Sequence, residues 1–421
     1  MLLIIFIFDG WQLRAKPLLV YYGMDSIIQE KPPWKTVEYI QSPVWTFVSF
    51  PEITYSENWV SNDNADIIAV KDKIKALDKD KIWELAKKMV NKYELVYTHN
   101  DERLPPSISL ITPLSRSFFK MVEILHVMQF FKDAPAKFVS AHVAEGPGGF
   151  IQALYTLTEN EKKKVSNSVA ITLKPTNHHI PGWKKSYNFL LRNKQVHLHY
   201  GVDGTGDIYK TENQASYIAE VGRLGGAHIF TADGGFDFSN DYTLQEMQIF
   251  HLLLSSITIG LRVLRPGGFF VLKMFDCAAS HTKLLVLLLS RCFKAWTLYK
   301  PAMTRPCNSE RYFLGMGLRA NVNSGNSIKL ITEALIHMEQ QAAKGLFPWA
   351  DFTSIFTPAE MAYLEAHNRA GVDLQIRYIQ NAIFLAKNPD VWKTECYEEV
   401  LNKSYEWCEF FGVYAKPRIR I

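Results

Sequence analysis

The chain has 421 residues, enough for two or three domains of ~100–200 residues each, and its 48% hydrophobic and 21% charged residues exclude extended disorder. A net charge of +5, from 47 Lys and Arg against 42 Asp and Glu, permits an anionic partner and excludes histone-like chains and basic tails. The cysteines, Cys277, Cys292, Cys307, Cys396 and Cys408, are scattered without a Cys-x-x-Cys pair, so neither a zinc ribbon nor a disulfide framework is indicated and a reducing compartment is expected.

No apolar run approaches the ~20 residues of a membrane span. The opening apolar run, residues 2–8, reads either as a buried strand or as translated leader with Met24 as the working start. Residues 1–65 are otherwise irregular and aromatic, punctuated by Pro33, Pro43 and Pro51. Over 67–95, Ile74, Leu77, Ile82, Leu85, Met89 and Val90 recur at helical spacing. Pro105 and Pro106 break the chain before a second helix over 116–131.

Strand and helix then alternate. Strands are predicted over 138–144, 168–173, 196–200, 227–232, 269–274, 295–299 and 311–317, with helices over 150–157, 244–263 and 282–293. That alternation predicts an α/β fold, a mostly parallel sheet with helices on both faces. The last two strands are separated by residues 300–310 alone, too few for a parallel crossover, so the seventh strand is expected to run antiparallel to the sixth. After about residue 320 the chain reads as mostly helical, with helices over 357–366 and 373–387. The predicted partition is an extension over 1–65, an α/β domain over 66–320 and a helical region over 321–421.

The first strand runs into Glu145-Gly146-Pro147-Gly148-Gly149-Phe150 and then a helix, the arrangement in which backbone approaches a nucleotide-type ligand at a helix N-terminus. Ile151 occupies the third glycine's place of the dinucleotide fingerprint and Lys174 stands where an acid would close the second strand, which disfavours NAD. A nucleoside without phosphate, S-adenosylmethionine, fits the shorter loop; a tight turn with no ligand is the alternative. A second polar loop over 201–207 falls at the same sheet edge, and Asp203 or Asp207 there is a candidate for the cofactor's ribose or adenine, the alternative being an ordinary Asp-Gly turn.

Three further polar residues should converge on that edge. Asp233 ends the fourth strand. Lys273 stands in the apolar run 270–274, where an unpartnered charge is costly. Glu310 opens the seventh strand, and only an antiparallel seventh strand brings it beside the other two. Lys120, on the helix before the first strand, reads from pattern alone as a solvated lysine.

Taken in order, Ser115-Arg116 with Lys120-Met121 and Glu123, Glu145 to Phe150, Ala232-Asp233-Gly234-Gly235, Leu264 to Gly268, Leu272 to Phe275 and Ser309 to Tyr312 resemble the FtsJ/RrmJ-type ribose 2′-O-methyltransferases. The runs 300–312 and 170–174 are most similar to the cap-specific branch that makes cap 1 on mRNA, and the layout resembles the viral members of the asfarvirus kind. The likeness spans residues 85–320. It implies a Rossmann-like S-adenosylmethionine-dependent methyltransferase fold with a seven-stranded sheet, and a catalytic tetrad at Lys120, Asp233, Lys273 and Glu310 with Lys273 as the base. Cofactor contacts are expected from Glu145, Gly146, Pro147, Gly148, Gly149, Phe150 and Asp233, and Asp207 is the candidate for an adenosine-side contact because Lys174 departs from the acid that many members carry at the end of the second strand.

Capped mRNA is the expected partner, with no membrane association and a cytoplasmic or virion location; capping-machinery or virion partners also fit. Arg305, Asn308 and Ser309 are placed to touch the first nucleotides. The basic stretch 162–194, including Lys184 and Lys185 with Trp183 and Tyr187 interleaved, reads as an RNA contact or as a solvated helix face. The pair His178-His179 lacks other ligand-type neighbours, so no metal site is expected. Two other readings stand beside cap methylation: a silent RNA-binding or virion scaffold, and 2′-O-methylation of another RNA class.

Overall fold

The computed structural model describes residues 32–42, 52–61, 65–77, 82–98, 102–176, 182–236, 244–320, 327–351 and 356–418. The run 2–8, Met24, Pro43, Pro51 and His178-His179 lie outside them. The strands are β1 (Ile40–Gln41), β2 (Thr54–Ser56), β3 (Lys137–Val143), β4 (Lys164–Ile171), β5 (Val196–His199), β6 (Ala227–Ala232), β7 (Leu264–Met274), β8 (Phe293–Tyr299), β9 (Arg311–Leu318) and β10 (Phe347–Trp349).

Eight of them form one sheet in the order β1-β8-β9-β7-β6-β3-β4-β5, and β2 pairs with β10 in a separate ribbon. The run from β7 to β5 is parallel, whereas β9 lies between β7 and β8 and is antiparallel to both. The antiparallel last strand is therefore as expected. The eighth strand is a correction to the expected seven: Ile40 and Gln41, from the extension read as irregular, pair with Trp296 and Ala295 and cover the free edge of β8. A two-residue strand is too short to leave a periodic signature.

The helices that position the site are α1 (Ala65–Asp72), α2 (Ile82–Met89), α3 (Ser117–Val127), α4 (Gly149–Asn160), α5 (Gln245–Val263) and α6 (Pro358–Lys387), followed by α7 (Tyr397–Phe410). The helix expected over 116–131 stops at Val127 because Gln129 takes a left-handed backbone, φ 51°. The two helices expected over 357–366 and 373–387 are one, α6, opened by a capping box between Thr357 and Glu360. Gly371, which reads as a break, sits inside it because a Cβ there would lie 2.8 Å from the Arg311 guanidinium.

Three apolar clusters hold these layers together. Phe230, Phe250 and Phe270 pack between the sheet and α5 on one face. Phe118, Phe119 and Phe150 fill the space between the sheet, α3 and α4 on the other. Trp83, Ile379 and Leu385 join α1 and α2 to α6, so segments far apart in sequence share one core. Among the described residues no helix is long and apolar enough to cross a membrane.

Candidate active site

The carboxyl ends of β3, β6 and β7 meet the start of β9 at one edge of the sheet, where open α/β sheets bind ligands. Gly148 begins α4 with φ 98°, a conformation only glycine adopts without strain. A Cβ at Gly149 would lie 2.3 Å from the hydroxyls of Ser115 and Ser117, so the loop can press onto the start of α3 only as glycine.

Lys120, Asp233, Lys273 and Glu310 come together beside this loop. Lys120 Nζ is 2.5 Å from Glu310 Oε1. Lys273 Nζ donates to the Asp233 carbonyl at 2.8 Å and lies 3.5 Å from Asp233 Oδ1. The antiparallel register sets Lys273 opposite Tyr312, and Tyr312 Oη stands 2.9 Å from Asp233 Oδ1 and 3.2 Å from Glu310 Oε1, bridging the two carboxylates. Thr304 adds a hydroxyl to Glu310 Oε1 at 3.2 Å. Lys300 Nζ donates to the carbonyls of Asn308 and Glu310 at 2.5 and 3.0 Å, fastening both ends of the segment that delivers Glu310.

Burial alone would raise the Glu310 carboxyl, but Lys120, Lys273 and Lys300 outweigh it and hold it down at about 2. Its folded value thus lies below the ordinary 4.5, so its contribution to stability is complete above pH 4.5 and fades as pH falls toward 2. Glu310→Gln should flatten that part of the stability-against-pH curve. Urea unfolding between pH 2 and 6 checks this, and an unchanged slope would refute the assignment.

Asp233, Lys273 and Glu310 open onto a cleft of about 650 Å³, while Lys120 is off its wall and joins the group through Glu310. Glu145, Gly146 and Pro147 form one wall; Trp83 from α2 and Gln375 and Ile379 from α6 form another. Asn308 and Ser309 also line it, Asn308 accepting the Glu310 N–H at 2.6 Å and Ser309 meeting Gln245 Oε1 at 3.3 Å. Other expected residues lie elsewhere. Phe150 is buried against the Tyr312 ring, and Gly148 and Gly149 stand behind the lining. Asp207 is not on the cleft wall; its carboxylate accepts from the Tyr209 N–H at 2.9 Å, while its loop docks on the segment that follows β4 through a bond from Lys174 N to Thr205 O at 2.7 Å. Asp203 closes its own turn with Thr205 and Lys210.

Arg305 is held by Glu94, 3.0 Å away, on the same carboxylate that takes Arg116 at 3.0 Å, so it anchors its loop. Lys184 and Lys185 are exposed. Trp183, expected to stack on RNA, is instead buried beneath the glycine loop, where a Cβ on Gly148 would meet its ring at 3.0 Å. Of the two interleaved aromatics, then, one packs inward. Tyr187 does remain exposed.

Sequence reasoning passed over Tyr312, Lys300, Glu123 and Gln375. The first three stand in the motifs that carried the resemblance, and Tyr312 could have been found as the residue opposite Lys273 in an antiparallel pair. Gln375, which donates to the Cys307 carbonyl at 3.0 Å, has no such signal.

The residues present suit an amino-acid nucleoside. Glu145 Oε2 is buried at the cleft wall with the His142 Nδ1 3.3 Å away and keeps a lone pair to offer an N–H or O–H donor.

The model of the FtsJ-like methyltransferase family matches residues 113–318. A cap-specific mRNA (nucleoside-2′-O-)-methyltransferase 1 from Xenopus laevis is 33% identical over 231 residues, covering 50% of this chain and 26% of the relative. The protein of that name from Trypanosoma brucei brucei is 31% identical over 187 residues, covering 44% of this chain and 48% of the relative. The chain thus spans between about a quarter and a half of the length of these curated relatives. Among solved structures, human methyltransferase-like protein 13 in complex with SAH aligns with TM-score 0.31 and 12% identity over 58% of this chain and 98% of that one. The sheet of residues 113–318, with its glycine loop after β3 and antiparallel last strand, is the Rossmann-like methyltransferase fold.

Proposed function

We propose that residues 113–318, an FtsJ-like methyltransferase domain, act as an S-adenosylmethionine-dependent RNA ribose 2′-O-methyltransferase whose substrate is the first transcribed nucleotide of capped mRNA. The observation that carries this reading is the convergence of Asp233, Lys273 and Glu310 on the wall of one cleft beside the glycine loop, with Lys120 paired to Glu310 behind it. The names of the relatives support the cap as the substrate.

When bound, S-adenosylmethionine supplies an electrophilic methyl group, so the protein's tasks are placement and removal of one proton. Placement alone contributes ~7–11 kcal/mol of barrier reduction in well-oriented systems. The two walls of the cleft hold the reactants. Lys273, fixed by both the carbonyl and the carboxylate of Asp233, is the proposed base for the ribose 2′-hydroxyl. Only its neutral amine accepts a proton, so it must release one to water before each turnover. Glu310, held by Lys120 and joined to Asp233 through Tyr312, orients the hydroxyl. We place Lys184 and Lys185 along the path of the RNA backbone, and Asn308 and Ser309 beside the reacting nucleotide.

Labelled S-adenosylmethionine with short capped and uncapped RNAs, followed by nuclease mapping, tests the reading. Label confined to the first-nucleotide 2′-oxygen of capped RNA is expected. Label on uncapped RNA would assign another RNA class, and binding of both partners without transfer would favour a scaffold.

A further inference from the structure

The middle of the parallel sheet contains a run of polar side chains where apolar ones would ordinarily pack. Ser140 and His142 lie on β3, Ser168 on β4 and Thr231 on β6, and all four are fully buried. The register explains their contact: Ser140 stands opposite Ser168, and His142 opposite Thr231. Tyr155, from α4, reaches the end of the row. The links are Tyr155 Oη to Ser168 Oγ at 3.1 Å, Ser168 Oγ to Ser140 Oγ at 2.6 Å, Ser140 Oγ to His142 Nε2 at 2.8 Å and His142 Nδ1 to Thr231 Oγ1 at 2.7 Å. Thr231 Oγ1 then donates to Glu145 Oε1, while Glu145 Oε2 lies 3.3 Å from His142 Nδ1.

The chemistry of the end groups gives the row one direction. An ionised carboxylate only accepts, so the Thr231 proton goes to Glu145 and Thr231 must accept from His142 Nδ1–H. A neutral imidazole carrying its proton on Nδ1 accepts at Nε2, so Ser140 donates to it, Ser168 to Ser140 and Tyr155 to Ser168. Every donor points toward Glu145. Buried polar rows of this kind are costly unless each member is satisfied, and here the row ends at the wall of the cleft rather than in the core.

We propose that the row from Tyr155 through Ser168, Ser140, His142 and Thr231 is a positioning device for Glu145, holding its carboxylate so that the free oxygen receives an N–H or O–H donor of the bound methyl donor. The inference rests on the methyltransferase reading above. Its members never touch the ligand; they are positioning residues acting through Glu145.

Calorimetric binding of S-adenosylhomocysteine to the full chain tests it. Thr231→Val, which keeps the shape and removes the hydroxyl, should weaken binding about 5–20-fold, and Thr231→Ser should restore it to within about twofold. Ser140→Ala should weaken it about 3–10-fold, and Tyr155→Phe, at the far end, by less. At saturating donor and RNA, kcat of all four should stay within about threefold of wild type, so the loss falls on the donor's KM. Thermal melts identify any variant that fails to fold, and Tyr155→Phe removes a single hydroxyl. Equal affinity of wild type, Thr231→Val and Ser140→Ala would overturn the positioning role while leaving the methyltransferase reading intact. Failure of wild type to bind S-adenosylhomocysteine at all would overturn both.

Discussion

Lys273→Met is expected to lower the single-turnover rate of methyl transfer by about 10²–10⁴-fold, the range that a positioned proton acceptor contributes. The substitution is close to a minimal one. Methionine has nearly the length of lysine, and Lys273 stands in a strand whose neighbours Leu272 and Met274 are buried and apolar. Asp233 keeps a partner when the ammonium is removed, because Tyr312 Oη remains 2.9 Å from its Oδ1. The fold and the donor affinity should therefore survive, with KM for the methyl donor within about threefold. Lys273→Arg keeps a cation beside Asp233 but cannot accept a proton, so it should lose the rate as well. If Lys273→Met retained a tenth or more of the wild-type rate, Lys273 would not be the base.

The parts of the site that were legible are those whose signal is local. Lys273 declares itself as a charge inside an apolar strand, Asp233 as an acid where a strand stops, and the glycine loop as a strand-to-helix turn. Glu310 required one topological step, from the short 300–310 connection to an antiparallel strand. Lys120 could not be told from a surface lysine by pattern; only resemblance singled it out, because its partner is 190 positions away in the chain.

The same limit hides the row beneath Glu145. Ser140 and Ser168, or His142 and Thr231, are paired by strand register across 28 and 89 positions, and nothing near each residue announces the other. Long-range contact also decides what local reading leaves open: Gly371 falls between the two expected helices but a Cβ there would meet Arg311, and Trp183, weighed as an RNA contact or part of a solvated face, is the underside of the glycine loop.

Glu123→Ala should destabilise the protein by about 3–5 kcal/mol, the largest stability effect expected here. Glu123 is fully buried on α3, and its carboxylate accepts from Tyr299 Oη at 2.8 Å, Ala302 N at 2.8 Å, Met303 N at 3.0 Å and Trp407 Nε1 at 2.9 Å. Each buried donor left without a partner costs about 1–3 kcal/mol, so four of them would cost more than the figure given if nothing compensated. Compensation comes from two sources. Burial pushes the Glu123 carboxyl up to about 7 despite its four donors, which means that ionising it in place is itself unfavourable, and the substitution removes that penalty. Local rearrangement around the vacated volume recovers part of the rest.

The functional consequence follows from where the donors lie. Ala302 and Met303 belong to the segment that delivers Glu310, and Glu123 follows Lys120 by one turn of α3. Loss of the carboxylate therefore frees both halves of the Lys120–Glu310 pair and removes the hydrogen bond by which Trp407 ties α7 to α3. Trp407→Phe removes a single donor and should cost about 1 kcal/mol, with methyl transfer retained. Urea unfolding of wild type and the two variants checks the order. If Glu123→Ala unfolded at the same urea concentration as Trp407→Phe, Glu123 would be one contact among several and not the point that ties the C-terminal helix to the catalytic edge.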